Sequence, residues 1–154
     1  MDLSPFHVMK RLRKLADLPS RDVLLLGTAW WLSLVTSRVL VVCGVGPSRK
    51  TVRLMAAGCP MPASPVPPER VAWAVEKAAG FTPGSTCLVS ALVCQALLHR
   101  TGHQARLCIG AARNARGGVE AHAWIEDRGE VLLGGPASRV SGYTPFANVD
   151  EYIG

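Results

Sequence analysis

The apolar positions of this chain change period once, near residue 103, and the change separates helices from strands. Before it, apolar residues recur at helical spacing. Phe6, Met9, Leu12 and Leu15 predict a basic amphipathic helix over residues 4–18, with Ser4 as cap and Pro5 at its first position. Pro19-Ser20-Arg21-Asp22 interrupts the pattern. Ser20 or Asp22 can cap a second helix that runs through Trp30, Trp31 and Leu34 towards Val42. Residues 44–48 read as a turn and residues 49–58 as a short helix or helical turn. Pro60, Pro62, Pro65, Pro67 and Pro68 make residues 59–68 an extended, stiff linker. A helix is expected over 68–79, ended by Gly80. After a loop over 81–85, Ser85 or Thr86 can cap a helix over 87–99. That helix is apolar almost all round, which predicts a central, buried position.

Beyond residue 103 the period is two. Ala105, Leu107 and Ile109 fall on one face, and Arg106, Cys108 and Gly110 on the other, so residues 104–112 read as a strand. A turn over 114–118 leads to a second strand over 119–126. A tight turn at Asp127-Arg128-Gly129 leads to a third strand over 130–133, and Gly134-Gly135-Pro136 ends the pairing. Tyr143, Phe146 and Tyr152 in the tail are expected to pack back on the domain. Helices followed by antiparallel strands define an α+β chain. Its expected organisation is a helical lead-in over 1–58, open to contact with a partner or precursor, then the proline-rich linker, then a compact domain over 69–154.

Composition narrows the setting. At 154 residues, with 49% hydrophobic residues, the chain is long enough for one well-filled core. Only 18% of residues are charged and mean hydropathy is +0.22, which predicts some apolar surface covered by a partner or a second copy. The net charge of +6 suits an acidic peptide or anionic lipid. Aromatics do not interleave with the basic residues, so no nucleic acid is expected. The stretch 23–46 contains Thr28, Ser33, Thr36, Ser37 and Arg38 and is broken by Gly27. It reads as core or partner-facing helix rather than a bilayer span, and no membrane partner is expected. No signal peptide is evident. Five cysteines at uneven spacing predict free thiols and a cytoplasmic location.

Chemistry enters through Cys87 and His122. A thiol in the first turn of a buried helix meets unpaired backbone N–H groups and the positive end of the helix dipole, which favour the thiolate. The same amides can hold an oxyanion. The base has to come from elsewhere. His7 lies in the basic segment. His99 is about 18 Å along the helix axis from Cys87, and His103 lies beyond it. His122 lies inside a strand, on one face with Glu120, Trp124 and Glu126. Cys87 as nucleophile and His122 as base follow. A Cys-bearing helix followed by a His-bearing strand is the order of papain-like and transglutaminase-like folds, in which a third polar group orients the imidazole. If the strands pair about residue 128, Gly134 lies directly across from His122 and supplies no carboxylate. Glu126, Asn148, Asp150 or a backbone carbonyl could take that role. Cys94 and Cys108 are expected to be core filler. The spacing of cysteines and histidines fits no zinc site, and no cofactor is expected.

Three segments carry a resemblance: Cys87-Leu88-Val89-Ser90-Ala91-Leu92, Gly102-His103-Gln104-Ala105-Arg106-Leu107-Cys108-Ile109-Gly110, and Glu120-Ala121-His122-Ala123-Trp124-Ile125-Glu126. In order and spacing they resemble the leader peptidases of lasso-peptide biosynthesis, a microcin-processing, transglutaminase-like cysteine peptidase family. The resemblance implies cleavage of a ribosomally made precursor between leader and core. It implies a separate leader-recognition protein and a lasso cyclase that consumes ATP as partners. It carries the nucleophile to Cys87 and the base to His122; the family's third residue, an aspartate, falls where this chain has glycine. Two other functions compete: an acyltransferase or amidase on the same fold, and a non-catalytic assembly module that clamps the precursor with its apolar helices.

Overall fold

The computed structural model describes residues 18–114 and 117–146. The helix expected over 4–18 lies almost wholly outside the described residues, as do Asn148, Asp150 and Tyr152. The order of elements is α1 (Ser20–Cys43), α2 (Val45–Gly58), α3 (Pro68–Ala79), α4 (Cys87–Arg100), β1 (Arg106–Arg113), β2 (Val119–Asp127), β3 (Glu130–Leu133), α5 (Ala137–Val140) and β4 (Thr144–Pro145). The fold is α+β, with the strands in one antiparallel sheet of order β3-β2-β1-β4.

The sheet and three helices enclose α4. Its residues from Val89 to Leu98 are all buried, and α1, α2, α3, β1 and β2 all pack on it. Leu92, Leu97 and Leu98 are among the most deeply buried side chains, and each contributes about 1.5–3 kcal/mol by leaving water. One hydrophobic cluster runs without a break from Leu25 of α1 through Val71, Leu92 and Leu107 to Ile125 and Leu133. The proline-rich segment crosses this assembly in extended form. It is held by Thr28 Oγ1 donating to Pro60 O (2.9 Å), His103 Nε2 to Val66 O (3.3 Å) and Arg100 Nη2 to Cys59 O (3.2 Å).

Several local expectations are corrected. Gly27 does not break α1, whose hydrogen bonding continues through it because the surrounding residues pack on the core. The turn expected over 44–48 shrinks to Gly44 alone, at φ +76°, and α2 begins at Val45 with Pro47 in its first turn, where a missing N–H costs nothing. Neither Ser20 nor Asp22 caps α1 by its side chain; the cap position is Pro19. The short α5 and the edge strand β4 were not legible in the alternation, since each is too brief to show a period.

Asp22 lies on the inner side of α1, 3% exposed, and its carboxylate takes both Arg70 Nε (3.1 Å) and Nη2. The Arg70 guanidinium also lies 3.9 Å over the Trp73 ring. This fork ties α1 to α3. The hydrogen bond from Arg70, opposed by burial, holds the Asp22 carboxyl below its usual range. A depressed carboxylate stabilises the fold above its unfolded pKa, and the contribution is lost as pH falls through the folded value. Asp22→Ala should cost about 1–2 kcal/mol in urea unfolding at neutral pH, a modest figure because Arg70 remains partly in water. The gap between wild type and variant should close as the solution is acidified.

Candidate active site

Cys87 is the first residue of α4 and is half-buried against the core cluster. Thr86, in extended conformation, caps the helix, its Oγ1 accepting from Val89 N (3.3 Å) and its carbonyl from Ser90 N (3.0 Å). The amides of Cys87 and Leu88 take no acceptor among the described residues. The far end of α4 is pinned to the start of β1, where Gln95 Nε2 (3.2 Å) and His99 Nε2 (3.1 Å) both donate to Ala105 O. His99 and His103 are thus engaged at the end of the helix remote from Cys87.

β1 and β2 pair without irregularity, Gly110 opposite His122 and Cys108 opposite Trp124. Alternation sends Ala123 and Ile125 into the helical core with Leu107 and Ile109. It gives His122 the face of Trp124 and Glu126, as the sequence predicts. There the imidazole lies in a layer of rings, 6.3 Å from Trp124 and nearly parallel to it, and 5.1 Å from Tyr143. Tyr143 is held by its hydroxyl, which donates to Glu120 Oε1 (3.0 Å). Among the described residues His122 and Cys87 share no hydrogen bond.

The pairing of β2 with β3 departs from the expected register. The turn is two residues, Arg128 (φ +51°) and Gly129 (φ +85°), so Asp127 pairs Glu130, and a bulge between Ile125 and Glu126 shifts the register again. The ladder stops at Leu133, and Gly134 is not a paired strand residue. Its carbonyl nevertheless reaches the imidazole, accepting from His122 Nε2 at 2.7 Å. A carbonyl oxygen can only accept, so Nε2 carries the proton and Nδ1 is the basic nitrogen.

Glu126 is committed elsewhere. Its Oε1 accepts from Trp124 Nε1 (2.8 Å) and its Oε2 from Arg106 Nη2 (2.8 Å). These bonds, the indole first and the guanidinium next, hold its carboxyl below the usual range. It shares no hydrogen bond with His122 among the described residues. Cys94 is fully buried inside α4, and burial pushes its thiol up to about 12. Cys108 is half-buried, and desolvation raises its thiol as well. Tyr143 was legible only as an aromatic in the tail; nothing in the chain's periodicity locates it over His122.

The family model for the transglutaminase-like superfamily matches residues 26–148, and the chain belongs to that superfamily. Its members are typically cysteine-based enzymes, peptidases and acyltransferases. No curated protein and no solved structure gives a significant match.

The glycine at position 134 has a steric reason. Its φ is +113°, and a Cβ there would stand 2.5 Å from Trp124 Cβ. Gly134→Asp, which would introduce a carboxylate beside His122, should therefore lower stability by about 2 kcal/mol or more rather than improve the site. Thermal unfolding measures it. Cys94 should resist iodoacetamide at neutral pH in the folded protein and react once urea unfolds it, as read by peptide mass spectrometry.

Proposed function

We propose that this protein is a cysteine peptidase that removes the leader from a ribosomally made lasso-peptide precursor. It works in the cytoplasm with a separate leader-recognition protein and hands the freed core to a lasso cyclase. The observation that carries the reading is the hydrogen bond from His122 Nε2 to Gly134 O, which leaves Nδ1 as an acceptor in a chain whose capped helix starts at Cys87. The superfamily membership and the three quoted segments support it.

In this reading Cys87 Sγ attacks the scissile carbonyl carbon and its proton passes to His122 Nδ1. The backbone amides of the first turn of α4 receive the oxyanion. Collapse of the intermediate breaks the C–N bond, the imidazolium gives its proton to the departing amine, and the core peptide leaves with a free N-terminus. The leader remains as a thioester on Cys87. Water, deprotonated by Nδ1, hydrolyses it and frees a leader ending in a carboxylate. The thiol and imidazole approach each other when the precursor binds, since catalytic hydrogen bonds often tighten only in the complex. Gly134 O fixes the tautomer that a carboxylate would otherwise fix.

The test is cleavage of precursor in the presence of the leader-recognition protein. Cys87→Ala should abolish the cut while leaving precursor binding intact, and His122→Ala should slow it by roughly 10²–10⁴-fold. Cutting by Cys87→Ala would remove the assignment. An added amine found on the new C-terminus of the leader would turn the reaction into acyl transfer.

A further inference from the structure

Helix α1 is built inside out. Its inner face carries Asp22, Thr28, Ser33, Thr36 and Ser37 alongside Leu25, Ala29 and Leu32, all of them buried. Its outer face carries Val23, Leu24, Trp30, Trp31, Val41 and Val42, with Trp30 and Trp31 43% and 48% exposed and the two terminal valines above 80%. These positions fall at helical spacing along one stripe about 28 Å long. Large apolar side chains in water and small polar ones in the core reverse the ordinary surface helix, and an apolar patch of this kind marks a binding surface.

The charges of the first two helices say what the stripe meets. Between residues 20 and 58 the exposed charged side chains are Arg21 and Arg38 of α1 and Lys50 and Arg53 of α2, and the sole acid, Asp22, is buried on Arg70. Arg38 lies within the stripe itself. Before α1 the sequence adds Lys10, Arg11, Arg13 and Lys14 against two acids, Asp2 and Asp17. A second copy of the chain would bring the same cations face to face. An anionic bilayer surface complements both the apolar stripe and its cations, and indole rings favour the headgroup level.

We infer that α1 docks the protein on an anionic membrane surface, lying in the interface plane with Trp30 and Trp31 immersed and the inner face still on the core. The helix is long and apolar enough to span a bilayer by length and composition, with a mean hydropathy of 1.5. Spanning would strip Leu25, Ala29 and Leu32 from the core, break the Asp22–Arg70 pair and put Asp22 and four hydroxyls into hydrocarbon. Interfacial docking keeps every one of those contacts. It departs from the sequence-based expectation of no membrane partner and agrees with the expectation of no span.

Flotation of the full chain with phosphatidylcholine vesicles, with and without phosphatidylglycerol, tests the proposal. The protein should float with the anionic vesicles at least about tenfold better than with the neutral ones and should be released by salt. Trp30→Ser/Trp31→Ser should lose flotation while its circular dichroism stays unchanged. Three results would each overturn the proposal: no flotation of folded wild type with anionic vesicles, flotation undiminished in the double variant, or a lipid-free dimer that the double variant dissolves. The last would assign the stripe to a second copy.

Discussion

A helix apolar almost all round has little to give to water, and α4 is such a helix. Everything else in the molecule is arranged to surround it. The three preceding helices and the sheet close over it because its leucines, valines and alanines release more free energy in a shared core than any arrangement that left one side wet. Only the two ends of α4 escape full enclosure. At one end His99 and Gln95 join it to the residue before β1; at the other stands Cys87, half-buried, with the Cys87 and Leu88 amides unclaimed among the described residues. Burial of the helix body is what leaves the nucleophile candidate at a defined and accessible point.

Among the described residues the imidazole is held by a backbone carbonyl and by no carboxylate. Gly134 and Trp124 occupy space that is mutually exclusive with a side chain at 134, so the chain turns past the ring and offers its carbonyl instead. A neutral acceptor fixes orientation and tautomer but supplies no charge to stabilise an imidazolium. The acidic groups nearby are otherwise engaged, Glu126 by Trp124 and Arg106, and Glu120 by Tyr143. Tyr143 in turn lies tilted against the imidazole, 5.1 Å between ring centres, and joins the tail of the domain to the site.

The inverted helix α1 links the fold to its surroundings. Two of its inner hydroxyls find carbonyls, Ser37 at Leu34 O and Thr28 at Pro60 O, while Ser33 Oγ is buried without a hydrogen-bond partner among the described residues. Its outer tryptophans keep nearly half of their surface in water. A helix that served the core alone would place these two sets of residues the other way round.

The sequence by itself determined the elements and their class. The period of 3.6 over residues 68–79 and 87–99 and the period of two after 103 each follow from local side-chain direction, and they located α3, α4 and the first three strands to within a residue or two. Cys87 and His122 stood out because residue type and element type are both local properties. Tertiary structure alone decided the rest. The register of β3 depends on a two-residue turn and a bulge, which shift the pairing without changing the pattern of apolar residues. The carbonyl at Gly134 has no side-chain signature at all, and Tyr143 reaches His122 across many intervening residues. Which face of α1 would be buried was equally hidden, because its polar residues Asp22, Thr28, Ser33, Thr36 and Ser37 lie on the face the core takes, against the ordinary pattern of an amphipathic helix.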